Sequence, residues 1–204
     1  MDVNLNFNDN KIYSLINSRG LIGYFVNFKN IIQTSYDRNQ TNYYFNLQKK
    51  DKEKIYEFKV INGRVDLRGL KLDKGSGYKK INKKDLLNIV DPLTATKGLL
   101  FSQKNNIVCS GERKIYDGDD VYKVKLTSLE KNNKKLKELN KKYLINNYCR
   151  LSYIAIAGHK LKREKKLNSY FVNVYFAKIN NTIVPVYFES KSKFIDIKMY
   201  LSTD

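Results

Sequence analysis

Residues 55–68 read Ile-Tyr-Glu-Phe-Lys-Val-Ile-Asn-Gly-Arg-Val-Asp-Leu-Arg, and this stretch decides the fold class. Apolar and polar side chains alternate in Ile55–Val60 and again in Arg64–Arg68, which is the two-residue period of a half-buried β-strand. Asn62 and Gly63 lie between the two runs, and Asn-Gly is the pair that most strongly favours a tight hairpin turn. The stretch therefore predicts two antiparallel strands joined by a two-residue turn.

The same two-residue period recurs on both sides of this hairpin. Asp117–Asp120 separates two such runs and predicts a second hairpin with an acidic, Gly-containing turn. Pro185 falls inside a later run and predicts an edge strand, a strand start or a bulge there. The further predicted strands are Ile12–Ile16, Leu21–Phe28, Thr41–Leu47, Arg113–Tyr116, Val121–Leu126, Arg150–Ala157, Tyr170–Lys178, Ile183–Glu189 and Phe194–Leu201.

One segment has a helical period instead. Asp91-Pro92 is typical of a helix start, with the Asp as N-cap and the Pro at the first helical position. Leu93, Thr96 and Leu99 follow at helical spacing and predict a helix that extends to Phe101. Together, these segments predict a mainly β domain of antiparallel strands around one central helix. Strands that curl around a helix leave an apolar concave face, which the helix fills or which holds an apolar ligand.

Length and composition predict a single domain over residues 1–204. The chain is 42% hydrophobic, which excludes wholesale disorder, and no apolar run approaches the roughly 20 residues that span a bilayer. The N-terminus has neither a basic nor an apolar region, so no signal peptide is predicted in this chain. A mature exported protein would show the same N-terminus.

The net charge is +19, from 39 Lys and Arg against 20 Asp and Glu, and such a field attracts polyanions. The candidate anion-binding residues are Lys79, Lys80, Lys134, Lys135, Lys162 and Arg163. The excess is mostly Lys, whereas base and phosphate recognition favours Arg, so no specific nucleic acid partner is expected. Codon composition is the alternative origin of the charge. Lys131–Asn146 predicts either a basic amphipathic helix or a solvated excursion.

Few residues suggest chemistry. His159 is the sole histidine, so a multi-histidine metal site is excluded and any catalytic triad would need this residue. Cys109 and Cys149 each open a patterned segment, and they leave three alternatives: a strand staple, a nucleophile paired with His159, or part of a metal site. The glycines of Lys74–Lys79 match no nucleotide-binding fingerprint. The sequence therefore predicts no catalytic residue, no metal and no cofactor.

Five motifs follow one another in a defined order. They are Asp-Pro-Leu-Thr-Ala at 91–95, a cysteine at 109, Ile-Tyr-Asp-Gly at 115–118, Cys-Arg-Leu-Ser-Tyr-Ile-Ala-Ile-Ala-Gly-His at 149–159 and Val-Pro-Val at 184–186. In this order they resemble the bacterial envelope family catalogued as domain of unknown function 3108, in its alphaproteobacterial form. The chain departs from the family pattern at Tyr116, Asp119 and Ala155, and Met1–Asn8 stands where the family has its first strand.

The resemblance implies an exported, periplasmic protein whose curved antiparallel sheet forms a half-barrel around a helix, similar to periplasmic lipoprotein carriers. It also implies a Cys109–Cys149 disulfide and transfers no catalytic residue. The leading hypothesis is a non-enzymatic protein that supports envelope integrity and binds a lipid or another apolar ligand. Its expected ligand-facing side chains are Leu21, Phe25, Tyr43, Phe45, Leu99, Phe171 and Tyr175. The second hypothesis is a polyanion-binding module, and the third is an enzyme built on His159.

Overall fold

The computed structural model describes residues 2–17, 28–50, 52–101, 109–129, 145–191 and 196–200. Its strands form two sheets, one of six strands and one of seven, and its helices are short. The predicted mainly β class is therefore confirmed. None of the helices in the described ranges combines the length and the hydropathy that crossing a bilayer requires.

The first sheet contains six antiparallel strands in chain order, so that each strand pairs with the next. Asn62 and Gly63 both have positive φ angles, +50° and +74°, as the predicted hairpin turn requires. The strands are β1 (Asp2–Phe7), β2 (Lys11–Asn17), β3 (Phe28–Asp37), β4 (Gln40–Lys49), β5 (Lys52–Ile61) and β6 (Arg64–Val65).

The second sheet has the order β13-β12-β11-β10-β9-β8-β7. Strands β10 to β13 pair antiparallel, whereas β7 pairs in parallel with Lys114 and Ile115 of β8. The strands are β7 (Ile89–Val90), β8 (Ser110–Tyr116), β9 (Val121–Ser128), β10 (Ile145–Ala157), β11 (Phe171–Ile179), β12 (Thr182–Lys191) and β13 (Asp196–Tyr200).

Pro185 lies in β12, which is flanked by β11 and β13. The register of β11 against β12 shifts by one residue, because Tyr175 faces Tyr187 while Phe176 faces Pro185. A bulge accommodates a proline inside a sheet because it interrupts the hydrogen-bonded ladder. Of the three predicted explanations for Pro185 the bulge is confirmed, and the edge position is wrong.

The predicted helix begins as expected and changes form near its middle. Residues Pro92–Thr96 form helix α1, and Lys97–Phe101 continue it as one π turn. A second helix, α2, spans Glu164–Leu167. Leu99 and Leu100 of the π turn are buried in the core that also contains Val174 and Phe176 of β11. The helical segment therefore supplies core side chains to the sheet, as predicted.

The chain divides into two compact units. The first comprises residues 1–95, 114–121 and 156–160, and its core clusters around Tyr43, Phe58 and Tyr116. The second comprises residues 96–113, 122–155 and 161–204, and its core clusters around Leu126, Cys149 and Phe176. Each core contains mainly large apolar side chains that are less than a tenth exposed.

A row of four tyrosines crosses β10 to β13 in the second unit. Tyr148 pairs with Tyr175, Tyr175 with Tyr187, and Tyr187 with Tyr200 in the strand registers. Successive ring centroids lie 4.5, 5.3 and 4.7 Å apart. Cross-strand aromatic neighbours of this kind stabilise a sheet by burying each other. We call this row the tyrosine ladder.

Several segments differ from the predicted pattern or lie outside the described residues. Strand β1 covers Asp2–Phe7, where no strand was predicted. Strand β3 covers Phe28–Asp37, where no strand was predicted beyond Phe28. The rest of the predicted strand Leu21–Phe28 lies outside the described residues. The segment Lys131–Asn146, predicted as a helix or a solvated excursion, also lies mostly outside them, and its last two residues belong to β10.

Candidate binding site on the first sheet

The two faces of β3, β4 and β5 carry different side chains. Thr34, Tyr43 and Phe58 face one another across the strands and are buried in the first unit, so they mark the inner face. Alternation places the neighbouring positions on the outer face. In the middle of these strands the outer face is polar, and there it forms an open groove of about 830 Å³ together with the segment that follows β6. Ile55 and Ile61 of β5 lie exposed on the same face, on either side of this polar region.

Six polar side chains form a regular grid in this groove. Gln33, Tyr44 and Glu57 occupy directly opposed positions on β3, β4 and β5 and form one row of the grid. Ser35, Asn42 and Lys59 form the second row, two residues along each strand. The grid thus covers three strands, a width of about 10 Å at ordinary strand spacing. We call the grid together with Asp66 and Arg68 the polar groove.

Asp66 and Arg68 close one side of the polar groove. The Arg68 guanidinium donates to the Asp66 carboxylate at 2.6 and 2.9 Å, and the Arg68 backbone N–H donates to the same side chain at 3.2 Å. The Asp66 backbone N–H donates to the Lys59 carbonyl at 2.9 Å, which ties this segment to β5. Hydrogen bonds from Arg68 lower the pKa of the Asp66 carboxyl, so the pair is ionised and internally balanced.

Asn46 orients the Tyr44 hydroxyl. Its side-chain amide is buried and donates to the Tyr44 oxygen at 3.1 Å and to Glu53 at 2.7 Å. Because the Tyr44 oxygen accepts this bond, its own O–H remains available to donate to another group. Within the described residues, Gln33, Ser35 and Glu57 make no side-chain hydrogen bond to protein. The outer face therefore presents unused donors and acceptors.

The polar groove is electrically balanced. Glu57 and Asp66 supply two negative charges, and Lys59 and Arg68 supply two positive charges. The whole chain by contrast carries a net charge of +19. The groove is therefore not part of a basic patch, and its recognition chemistry is hydrogen bonding rather than charge attraction.

A second polar cluster surrounds the predicted Asp117–Asp120 turn. Asp117 accepts hydrogen bonds from the backbone N–H groups of Asp119 and Asp120 at 2.9 and 2.7 Å. Burial raises the pKa of Asp117 to about 6 despite these bonds. Lys74 forms ion pairs with Asp119 and Asp120 and also donates to the Gly158 carbonyl at 2.9 Å. These contacts hold the turn against two other segments and indicate a structural role.

The disulfide lies in the second unit. Cys109 and Cys149 are bonded, with Cα atoms 5.3 Å apart and a sequence separation of 40. Cys109 directly precedes β8, and Cys149 lies within β10. Both are at most 5% exposed. The strand staple implied by the resemblance is confirmed, and the nucleophile and metal-ligand alternatives for these thiols are wrong.

The residues predicted to face an apolar ligand lie in several places. Leu21 and Phe25 are outside the described residues. Tyr43 is buried in the core of the first unit, and Phe45 packs against the same core. Leu99 belongs to the core of the second unit. Phe171 lies under the Arg150 guanidinium at 4.2 Å, and Tyr175 is buried in the tyrosine ladder.

The predicted anion-binding residues are similarly dispersed. Lys134 and Lys135 lie outside the described residues. Lys79 and Lys80 belong to the first unit, where the Lys79 backbone pairs with the segment Gly158–His159. Lys162 and Arg163 belong to the second unit and are exposed.

His159 is buried, with 3% of its surface exposed. Its backbone carbonyl accepts a hydrogen bond from the Lys79 N–H at 2.9 Å. Across the described part of the chain, no three His, Cys, Asp or Glu side chains converge into a metal-binding group. His159 therefore lies in the interior beside a backbone pairing.

The polar groove was not identified from the sequence. A signal existed, because Asn42, Tyr44, Glu57 and Lys59 occupy the strand positions that alternate with buried Tyr43 and Phe58. No known family, curated protein or solved structure matches this chain. The resemblance to the envelope family therefore stays a prediction.

Proposed function

We propose that this chain is a non-enzymatic protein of the extracytoplasmic envelope, a disulfide-stapled scaffold that presents the polar groove as its binding site. In this role the protein supports envelope integrity by holding an envelope component. The proposal keeps the compartment and the non-catalytic role implied by the resemblance. It replaces the concave apolar face with the outer face of the first sheet as the binding site.

The observation that carries the proposal is the Cys109–Cys149 disulfide. Disulfides persist in oxidising compartments such as the periplasm and are rare in the reducing cytosol. The bond is buried, so it is inaccessible to small thiols in the folded protein. A buried structural disulfide supports synthesis of this chain for an oxidising environment.

The buried carboxylates support a scaffold role. Asp91 is fully buried and accepts hydrogen bonds from Thr34, Leu93 and Thr94 at 2.6 to 3.0 Å. Asp117 accepts two backbone bonds within its turn. The bonds to Asp91 come from Thr34 and the first turn of helix α1, and those to Asp117 come from its own turn. The described hydrogen bonds of both carboxylates are therefore internal to the scaffold.

The experiment is a thiol-trapping assay on the native protein in its own cells. Cells are quenched with acid, the protein is dissolved in denaturant, and free thiols are labelled there with a maleimide that shifts the electrophoretic band. We expect no shift before reduction and a shift for two thiols after reduction. A Cys109→Ala variant is the control, because its remaining thiol labels without reductant.

Fractionation and a deletion strain complete this test. The protein is expected in the extracytoplasmic fraction, and loss of the gene is expected to increase sensitivity to detergents. Wild-type protein directed out of the cytosol should restore resistance, whereas protein retained in the cytosol should not. Two freely labelled thiols in a cytosolic fraction would contradict the proposal.

Polyanion binding is the second candidate, favoured by the net charge of +19. Affinity for a polyanion falls steeply with salt, by roughly a thousandfold or more between about 50 and 200 mM for six or more phosphate contacts. Titration with dextran sulfate at these two salt concentrations tests this candidate. Equal binding at both concentrations would reject it.

Apolar ligand binding stays a prediction with its own measurement. Native mass spectrometry of delipidated protein, mixed with fatty acids and phospholipids, detects a bound lipid directly. Binding there would require the side chains around Tyr43 and Phe45 to separate, because they pack against core residues. A complex with any of these lipids would move the binding site from the polar groove to the interior.

A further inference from the structure

The polar groove has the chemical composition of a site for an uncharged, polyhydroxylated ligand. Gln33 carries a planar amide that both donates and accepts, and Ser35 adds a hydroxyl. The Asn42 amide oxygen accepts from the Gln40 side chain at 2.7 Å, which leaves the Asn42 N–H groups to donate. The Glu57 carboxylate accepts, while Lys59 donates. A ligand that satisfies this set must carry many groups that both donate and accept, as vicinal sugar hydroxyls do.

Aromatic side chains flank the grid. Tyr44 lies in the centre of the first row, and Tyr13 of β2 is directly opposite Gln33 on the same face. Both rings are partly exposed. An aromatic ring offers an apolar surface with a polar hydroxyl at its end. Such surfaces complement the C–H faces of a sugar ring, while the hydroxyl reaches its polar edge.

The charge balance excludes the competing ligand class. Two acidic and two basic groups line the polar groove, and Asp66 and Arg68 already neutralise each other. A polyanion gains no net attraction from this lining, because the repulsion from Glu57 and Asp66 offsets the attraction of Lys59 and Arg68. An uncharged ligand does not depend on such attraction.

We propose that the polar groove binds an uncharged oligosaccharide, such as a stretch of glycan chain. The inference rests on the proposed function, since it names the class of envelope component held by the scaffold. Rows of side chains two residues apart repeat along each strand, so the groove fits a linear chain of repeating units better than a compact small molecule. Asn42, Tyr44 and Glu57 form the centre of the site.

The test is a titration of the folded protein with chitotetraose and with maltotetraose, followed by NMR of isotope-labelled amides. Binding is expected with a dissociation constant of about 1 mM or tighter for at least one of the two. The largest shifts should map to β3, β4 and β5. Tighter binding of chitotetraose than of maltotetraose would show that the N-acetyl groups of chitotetraose are recognised.

Matched variants locate the site. Asn42→Ala should weaken binding at least tenfold, whereas Asn4→Ala, on exposed β1, should leave it unchanged. Lys59→Gln and Lys52→Gln change the same charge in the same strand, but only Lys59 lines the groove. Only the Lys59 variant is expected to reduce affinity. Unchanged amide spectra outside the mutated strand verify that each variant is folded.

Several outcomes would overturn the inference. These are no binding of either sugar, binding unaffected by Asn42→Ala, or equal loss with Lys52→Gln and Lys59→Gln. Binding of an extended peptide instead of a sugar would assign the groove to a protein partner. The thiol-trapping assay is independent of all these variants, so the compartment proposal and the glycan inference fail separately.

Discussion

At the scale of single residues, Asp117 makes the stability of the first unit depend on pH. Its pKa is about 6 in the folded protein, against an ordinary value of 3.8. The folded state therefore binds more protons than the unfolded state between these values. The free energy of unfolding should fall as pH rises from about 4 to about 6, by roughly 1–3 kcal/mol.

Asp117→Asn tests this dependence, because the amide oxygen still accepts the two backbone hydrogen bonds. The variant should be more stable than the wild type at pH 7 and similar to it near pH 4. Urea denaturation of both proteins at several pH values measures their free energies of unfolding. The difference between the two isolates the contribution of Asp117, because Asp119 and Asp120 contribute to both proteins. Parallel curves for the two proteins across pH 4–6 would contradict the assignment.

Gly158 is a second residue whose identity is dictated by its surroundings. It has a φ angle of +87°, and an added Cβ would lie 2.6 Å from the Asp119 carbonyl oxygen and 2.9 Å from the Asp120 Cα. Because both are backbone atoms, they cannot move aside cheaply. Gly158→Ala should destabilise the protein by about 3 kcal/mol or more.

Gly75 supplies the matched control for this change. It has a φ angle of +82° but no atom within 4 Å of an added Cβ. Gly75→Ala should therefore lower the free energy of unfolding only by the cost of holding an alanine in the left-handed region, about 1–2 kcal/mol. The two urea midpoints measure the packing contribution at Gly158 by difference. Equal urea midpoints for the two variants would show that the backbone around residue 158 shifts to accommodate the added Cβ.

At the scale of elements, helix α1 depends on a buried N-cap. Asp91 accepts from two helix N–H groups and from the hydroxyls of Thr34 and Thr94. Asp91→Ala leaves all these donors without an acceptor, so it should cost roughly 3 kcal/mol or more. Asp85→Ala, at an exposed turn where Asp85 accepts from Asn82, should cost less than about 1 kcal/mol. Similar thermal midpoints for both variants would contradict this role.

Elements encoded by adjacent residues were predictable. The Asn62-Gly63 turn and the Asp91 cap depend on contacts within a few positions, and both were expected from the sequence. Strand β3 was not, because Ile31 and Ile32 are consecutive and interrupt the alternation in Phe28–Asp37. The parallel pairing of β7 with β8 is also non-local, since a two-residue strand has no period of its own.

The polar groove was unpredictable for a related reason. Gln33, Asn42 and Glu57 come together only because three strands pair in one particular register. A shift by one residue would put each of them on the opposite face. Local patterns identify which positions of a strand are polar, but they do not identify which of those positions become neighbours.

At the scale of the whole molecule, the disulfide closes a loop of 40 residues. In the chain-entropy account, such a loop contributes roughly 3–4 kcal/mol to stability. A Cys109→Ala, Cys149→Ala double variant should lose about this amount in urea denaturation. Wild-type protein measured under reducing conditions should have the same free energy of unfolding as the double variant. Equal stability of the oxidised wild type and the double variant would contradict the estimate.

The tyrosine ladder gives the second unit an optical signature of its own. The chain has 16 Tyr and no Trp, so its near-ultraviolet spectrum comes mainly from phenol rings. Neighbouring rings, stacked at Tyr148–Tyr175 and tilted at the other two pairs, couple their electronic transitions, which produces circular dichroism near the tyrosine absorption band. Burial also raises the pKa of Tyr175, so this ring stays un-ionised after exposed tyrosines have become phenolates. An alkaline titration followed by circular dichroism therefore loses the signal of exposed rings first and keeps that of the buried rings, which are Tyr175 of the ladder together with Tyr43 and Tyr116 of the first unit.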